Sequence, residues 1–83
     1  MKILWDEHKR VVNLEAHGLD FADLDGAYFE SAVIRPSYSG RYLAFGRLNA
    51  DAVAVVFKPL GREAISVISL RPANRREREL FDG

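Results

Sequence analysis

The stretch Ala64-Ile65-Ser66-Val67-Ile68-Ser69-Leu70-Arg71-Pro72-Ala73-Asn74-Arg75-Arg76-Glu77-Arg78 decides how this chain is read. Its first seven residues are small, β-branched or aliphatic on both alternating sets, the pattern of a strand covered on two faces, and the sequence then turns abruptly basic. An interior strand ending at Arg71 and followed by Arg75, Arg76 and Arg78 would deliver four guanidinium groups to one edge of the molecule. Planar guanidinium forks bind phosphate oxygens two at a time, so this edge suits a phosphate-bearing ligand.

Two further runs of strand length, Arg41–Leu48 and Ala52–Lys58, lie upstream. Asn49-Ala50-Asp51 and Pro59-Leu60-Gly61-Arg62 join the runs with turn chemistry. Connections this short force antiparallel neighbours, so the three runs form a meander. Ser31–Arg35 is expected as a short strand before Pro36 and the loop Ser37-Tyr38-Ser39-Gly40. At the N-terminus, Ile3-Leu4-Trp5 can form an edge strand, Asp6 an N-cap, and the residues to His17 a helix stopped by Gly18. Lys9, Asn13 and His17 fall at four-residue steps and make one polar stripe, with Trp5, Val12 and Ala16 beside it facing the core. Asp20 opens a second helical stretch, Phe21–Phe29, with Phe21, Leu24 and Tyr28 at helix spacing. Ala73–Leu80 has the composition of a closing helix, with Leu80 and Phe81 as its apolar contacts. The expectation is one α+β domain over residues 1–83: an antiparallel meander sheet packed against two N-terminal helices, with a short C-terminal helix.

The totals narrow the class. Eighty-three residues, 48% of them hydrophobic, suffice for one small core. The absence of cysteine excludes disulfides and thiolate-bound metals. No apolar run approaches the ~20 residues that a membrane-spanning helix needs, so no membrane association is expected and the reading is cytoplasmic. The formal charge is zero, but residues 1–34 carry three basic and seven acidic side chains, and the rest carry nine basic and five acidic. Such a division permits a cationic face on a neutral protein.

Trp5-Asp6, Lys9, Asn13, His17-Gly18 and Phe21 follow the pattern W-D-x-x-K-x-x-x-N-x-x-x-H-G-x-x-F. Ile68-Ser69-Leu70-Arg71-Pro72-Ala73 with Glu77-Arg78 follows I-S-x-R-x-A-x-x-x-E-R. Together these two motifs resemble the opening and the close of the BrnT family of type II toxins. The resemblance implies a RelE-like fold and ribonuclease activity that inhibits translation. It also implies a small ribbon-helix-helix antitoxin, BrnA-like, through which the complex would reach its operator DNA. Two cations common in that family are replaced, by Ala16 and Ser66. The alternative reading is therefore a catalytically degenerate member that acts as a binding partner or co-repressor.

Metal-independent RNA cleavage requires removal of the 2′-hydroxyl proton, neutralisation of the phosphorane and protonation of the leaving oxygen. Arg71 is the candidate for charge neutralisation, with a structural ion pair to Glu77 or Asp6 as its other explanation. His17 is the candidate acid or base, because imidazole changes charge nearest to neutral pH. Lys9 is the candidate phosphate ligand or proton donor, and Glu77 would orient an arginine or act as base. Arg62, Arg75, Arg78 and Lys58 are candidate backbone-phosphate ligands. No metal site or cofactor motif is present. The whole reading requires Lys9, His17 and Arg71 to converge on one groove.

Overall fold

The computed structural model describes residues 1–82. In chain order it has β1 (Lys2–Trp5), α1 (Glu7–His17), a 3-10 turn (Phe21–Asp23), α2 (Gly26–Ser31), β2 (Val33–Pro36), β3 (Tyr42–Leu48), β4 (Asp51–Leu60), β5 (Ala64–Pro72) and α3 (Arg75–Asp82). The five strands make one sheet in the order β1-β5-β4-β3-β2.

Strands β3 to β5 form the expected antiparallel meander, and β2 extends it by pairing antiparallel with β3. The sheet as a whole is mixed, however, because β1 runs parallel to β5, with Lys2 beside Ala64 and Trp5 beside Val67. A parallel partner cannot be reached by a tight turn, and here the entire chain between the two strands makes the crossover. Between Val56 and Phe57 the β4–β5 register shifts, so that Ser69 pairs with Val56, Val67 pairs with Phe57, and Ile68 is the extra residue of a bulge.

One face of the sheet makes the main core. Val53, Val55, Phe57, Ile65, Val67 and Leu70 are buried there against Phe21, Leu24 and Tyr28. Trp5 meets Phe21 edge to face at 6.3 Å. The Tyr28 hydroxyl donates to the Ala44 carbonyl at 2.8 Å. Gly46 makes room for this ring, since a Cβ there would lie 3.3 Å from it. Phe45 and Ala54, which pair with one another and point to the other face, are also buried. On that side α3 packs near β3, and Arg47 pairs with Asp82.

The helices depart from expectation in two places. Phe21–Phe29 is not one helix, because two aspartates cap separate starts: Asp20 accepts from the Ala22 N–H, and Asp25 accepts from the Tyr28 N–H. Between them Leu24 is extended, at φ −74° and ψ 141°. Each cap satisfies backbone donors that a continuous helix would have bonded within itself. In α1 the expected limits hold, with Asp6 accepting from the His8 N–H and Gly18 at φ 68° donating to Leu14. Its expected core face does not hold: Val12 is 49% exposed, Ala16 is exposed, and the buried residue is Asn13.

Candidate functional site

The reason for that rotation lies at the edge of the sheet. Strand β1 stops opposite Val67, while β5 runs on to Pro72, so the last part of β5 has no strand on its outer side. Unpaired backbone groups at a buried edge are costly. Asn13 takes the place of the missing strand: its Nδ2 donates to the Leu70 carbonyl at 2.7 Å, and its Oδ1 accepts from the Leu70 N–H at 3.1 Å. Nδ2 also donates to the Leu19 carbonyl at 3.2 Å, which ties down the chain leaving the helix.

Turning Asn13 inward carries its stripe with it. Lys9, a turn earlier, and His17, a turn later, both line a groove of about 370 Å³ between α1 and the free end of β5. Val12, Ala16 and Ile68 supply apolar surface in the groove, His8 and Ser69 complete the lining, and no carboxylate takes part. His17 also borders a second cavity, of about 220 Å³, that reaches Pro72. On the other flank of α1, Arg10 pairs with Glu7 and Asp20. Those bonds hold both carboxyls below their ordinary range, with the Ala22 N–H the larger cause at Asp20.

Arg71 is not in this groove. Leu70 points into the core, so strand alternation sends Arg71 to the opposite face, paired in register with Ala54. There its Nη1 and Nη2 donate to the two Glu77 carboxylate oxygens at 2.7 and 2.8 Å. Glu77 also closes a reciprocal cap on α3: its carboxylate accepts from the Asn74 N–H, and its own N–H donates to Asn74 Oδ1, both at 2.9 Å. The hydrogen bond from Arg71 holds the Glu77 carboxyl below its usual range, and the Glu77 bond holds the Arg71 guanidinium above its own. A third bond from Nη1 reaches the Pro72 carbonyl at 3.3 Å. Of the five guanidinium N–H groups two are then left, on the Nε/Nη2 edge.

The remaining candidates are spread out. Lys58 stands directly across from Ser66 on β4, about 13 Å along the strand from the Ala54–Arg71 pair. Arg62 sits in the β4–β5 turn at the far end of the sheet, roughly 25 Å from Arg71 along β5. Arg75 and Arg78 are exposed on α3, where they line a shallow cavity with Glu79 and Asp82, and Arg75 approaches Glu79 at 3.8 Å. The expected convergence is therefore corrected: Lys9 and His17 share a groove, whereas Arg71 and Glu77 form a separate unit on the other face. His8 lines the groove and was not singled out by sequence pattern. The Asn74-x-x-Glu77 box was a readable signal for the start of α3, and it also explains why Glu77 is held in place.

None of the described helices is long and apolar enough to cross a membrane. No curated protein sequence matches the chain. A crystal structure of the Brucella abortus ribonuclease toxin BrnT is similar at 51% identity, with a TM-score of 0.85, over 90% of this chain and 99% of that one. The family model for the ribonuclease toxin BrnT of type II toxin–antitoxin systems matches residues 5–77. The edge-capping Asn13, the groove with Lys9 and His17, and the Arg71–Glu77 unit all lie in that span, and the chain belongs to the BrnT family of ribonuclease toxins.

Proposed function

We propose that this ribonuclease toxin cleaves RNA without a metal ion, by attack of a ribose 2′-oxygen on the adjacent phosphorus in the groove between α1 and β5. His17 takes the 2′-hydroxyl proton as the O2′–P bond forms. The P–O5′ bond breaks, and the leaving oxygen receives a proton from the Lys9 ammonium. The products are a 2′,3′-cyclic phosphate and a 5′-hydroxyl end. Around the edge of β5, Arg71 offers its free Nε/Nη2 edge to a neighbouring phosphate while Glu77 keeps the guanidinium in one orientation. Arg75, Arg78 and Lys58 follow the RNA backbone, with Arg62 at the outer limit of the track. The chain acts in the cytoplasm, and its antitoxin is a BrnA-like ribbon-helix-helix protein that carries the complex to operator DNA.

The observation that carries this reading is the pair Lys9 and His17, set one turn on either side of a buried asparagine and lining a groove without carboxylates. Two groups able to exchange protons and bind anions on one helix support this reading, since the reaction calls for a base and an acid held beside the same RNA strand. The non-cleaving alternative rests on Ala16 and Ser66. It is weakened by Lys58, which supplies a cation directly across the sheet from Ser66.

The test is incubation of the purified chain with naked RNA in excess chelator, followed by end-group identification. Cyclic phosphate ends that persist in chelator and disappear in a folded His17→Ala variant are expected. Cleavage abolished by chelator, or unchanged in His17→Ala, refutes the proposal.

A further inference from the structure

Strand β5 takes a step that a regular strand does not. Ile65, Val67 and Leu70 are all buried in the core. Side chains on a strand alternate, so residues two apart share a face and residues three apart do not. Val67 and Leu70 share one only because Ile68 is the extra residue of the bulge beside Val56 and Phe57. Counted from Val67 without that bulge, Ser69 would point into the core. With it, Ser69 turns outward and lines the groove together with Ile68. Bulges that re-aim a side chain in this way are common beside active sites.

Ser69 also stands between the two parts of the site. It pairs with Val56 as Arg71 pairs with Ala54, so both side chains lie on one face, about 7 Å apart along the strand. Among the described residues it supplies the only hydroxyl that lines the groove, where the Asn13 amide is taken up by the backbone of Leu70. The Ser31 hydroxyl donates within its own helix, to the Ala27 carbonyl at 3.1 Å, whereas Ser69 makes no such bond among the described residues. A partly exposed hydroxyl at the end of the groove nearest Arg71 is therefore free to donate to a ligand.

We infer that Ser69 is a further catalytic residue, whose hydroxyl donates a hydrogen bond to a non-bridging oxygen of the phosphate being cleaved. This inference rests on the reaction proposed above, in which His17 takes the 2′-hydroxyl proton, Lys9 protonates the leaving oxygen and Arg71 holds a neighbouring phosphate. That division of roles leaves the non-bridging oxygens of the reacting phosphate without a donor. Charge grows on them as the O2′–P bond forms, so a donor fixed on an interior strand binds the transition state more tightly than the substrate. Ser69 itself makes and breaks no covalent bond. A serine here is also small, and room for α1 is the other reason to have one. The two roles respond oppositely to substitution, because Ser69→Ala keeps the size and loses the hydroxyl, while Ser69→Thr keeps the hydroxyl and adds a methyl group.

The experiment is single-turnover cleavage of an RNA oligonucleotide by excess protein, comparing wild type, Ser69→Ala, Ser69→Thr and His17→Ala over a range of protein concentrations. Ser69→Ala should lower the rate at saturation by about tenfold or more, with the half-saturating concentration within about threefold of wild type and the melting temperature unchanged. Ser69→Thr should cleave within about threefold of wild type. Melting curves identify a variant that has failed to fold. If that is Ser69→Thr, then Ser69→Ala, which differs from wild type by one oxygen atom, carries the comparison alone. A wild-type rate in folded Ser69→Ala overturns the inference. So does a folded Ser69→Thr slower than Ser69→Ala, which marks a requirement for small size. Undiminished cleavage by His17→Ala refutes the underlying reaction, whereas an inactive His17→Ala beside a fully active Ser69→Ala refutes the role of Ser69 alone.

Discussion

Replacing Asn13 by alanine tests the arrangement on which the site is built. The side chain makes three hydrogen bonds to backbone groups, two to Leu70 and one to Leu19, at 8% residue exposure. Asn13→Ala removes them and leaves the Leu70 N–H and carbonyl at a buried edge without partners. Each lost bond is worth about 1 kcal/mol, and the stranded groups add desolvation cost, so the total is about 2–4 kcal/mol. Against a folding margin of about 5–15 kcal/mol this is a large fraction. The melting temperature should fall by roughly 8–32 °C, given about 4–8 °C per kcal/mol for a domain of this size. Asn13→Asp separates the two halves of the interaction. It keeps the acceptor for Leu70 N–H but loses both donors and sets a carboxylate against the Leu70 and Leu19 carbonyl oxygens. At neutral pH it should be at least as unstable as Asn13→Ala, and it should recover on acidification as the new carboxyl regains a proton to donate. Thermal and urea unfolding of the three proteins would measure these differences. A loss below about 0.5 kcal/mol in Asn13→Ala, or an Asn13→Asp variant as stable as wild type, would refute the claim that Asn13 stands in for a strand.

Glu77→Gln should flatten the acid limb of stability. The Glu77 carboxyl is held low in the folded state by Arg71, so the pair stabilises fully above the unfolded value of about 4.3 and this contribution is lost as pH falls through the lower folded value. The stability gap between wild type and Glu77→Gln should therefore close on acidification, and a gap that widens contradicts the assignment. Arg71→Ala should cost about 1–2 kcal/mol, between the exposed and buried limits for ion pairs, because the partners' side chains are 35% and 14% exposed. RNA cleavage should fall far more than that, and activity that tracks melting temperature would leave Arg71 a purely structural role. Tyr28→Phe should cost about 1 kcal/mol through the lost bond to Ala44, measured by denaturant midpoint, with no change in cleavage by the folded protein.

Much of the fold was legible from local chemistry. Asp6 and Gly18 bounded α1, short turns made the meander antiparallel, and the basic run after Leu70 marked the end of the last strand. The split of Phe21–Phe29 was readable too, since Asp20 and Asp25 are both good caps five residues apart, but helix periodicity outweighed them. All of these are decided within a few residues by dihedral preference and backbone hydrogen bonding. The parallel pairing of β1 with β5 is different in kind, because Lys2 and Ala64 meet only when the whole chain has folded between them. That pairing ends four residues along, at Trp5, and the length of β5 left bare decides that α1 turns Asn13 rather than Val12 toward the sheet. Lys9 and His17 follow Asn13 into the groove, while strand alternation after Leu70 sends Arg71 to the other face. Residue chemistry and motif spacing nominated Lys9, His17, Arg71 and Glu77 as candidates, and the tertiary structure decided which of these candidates lie together. The physical reason is that an unpaired backbone edge must find a partner, and no local pattern in the helix records where that edge lies.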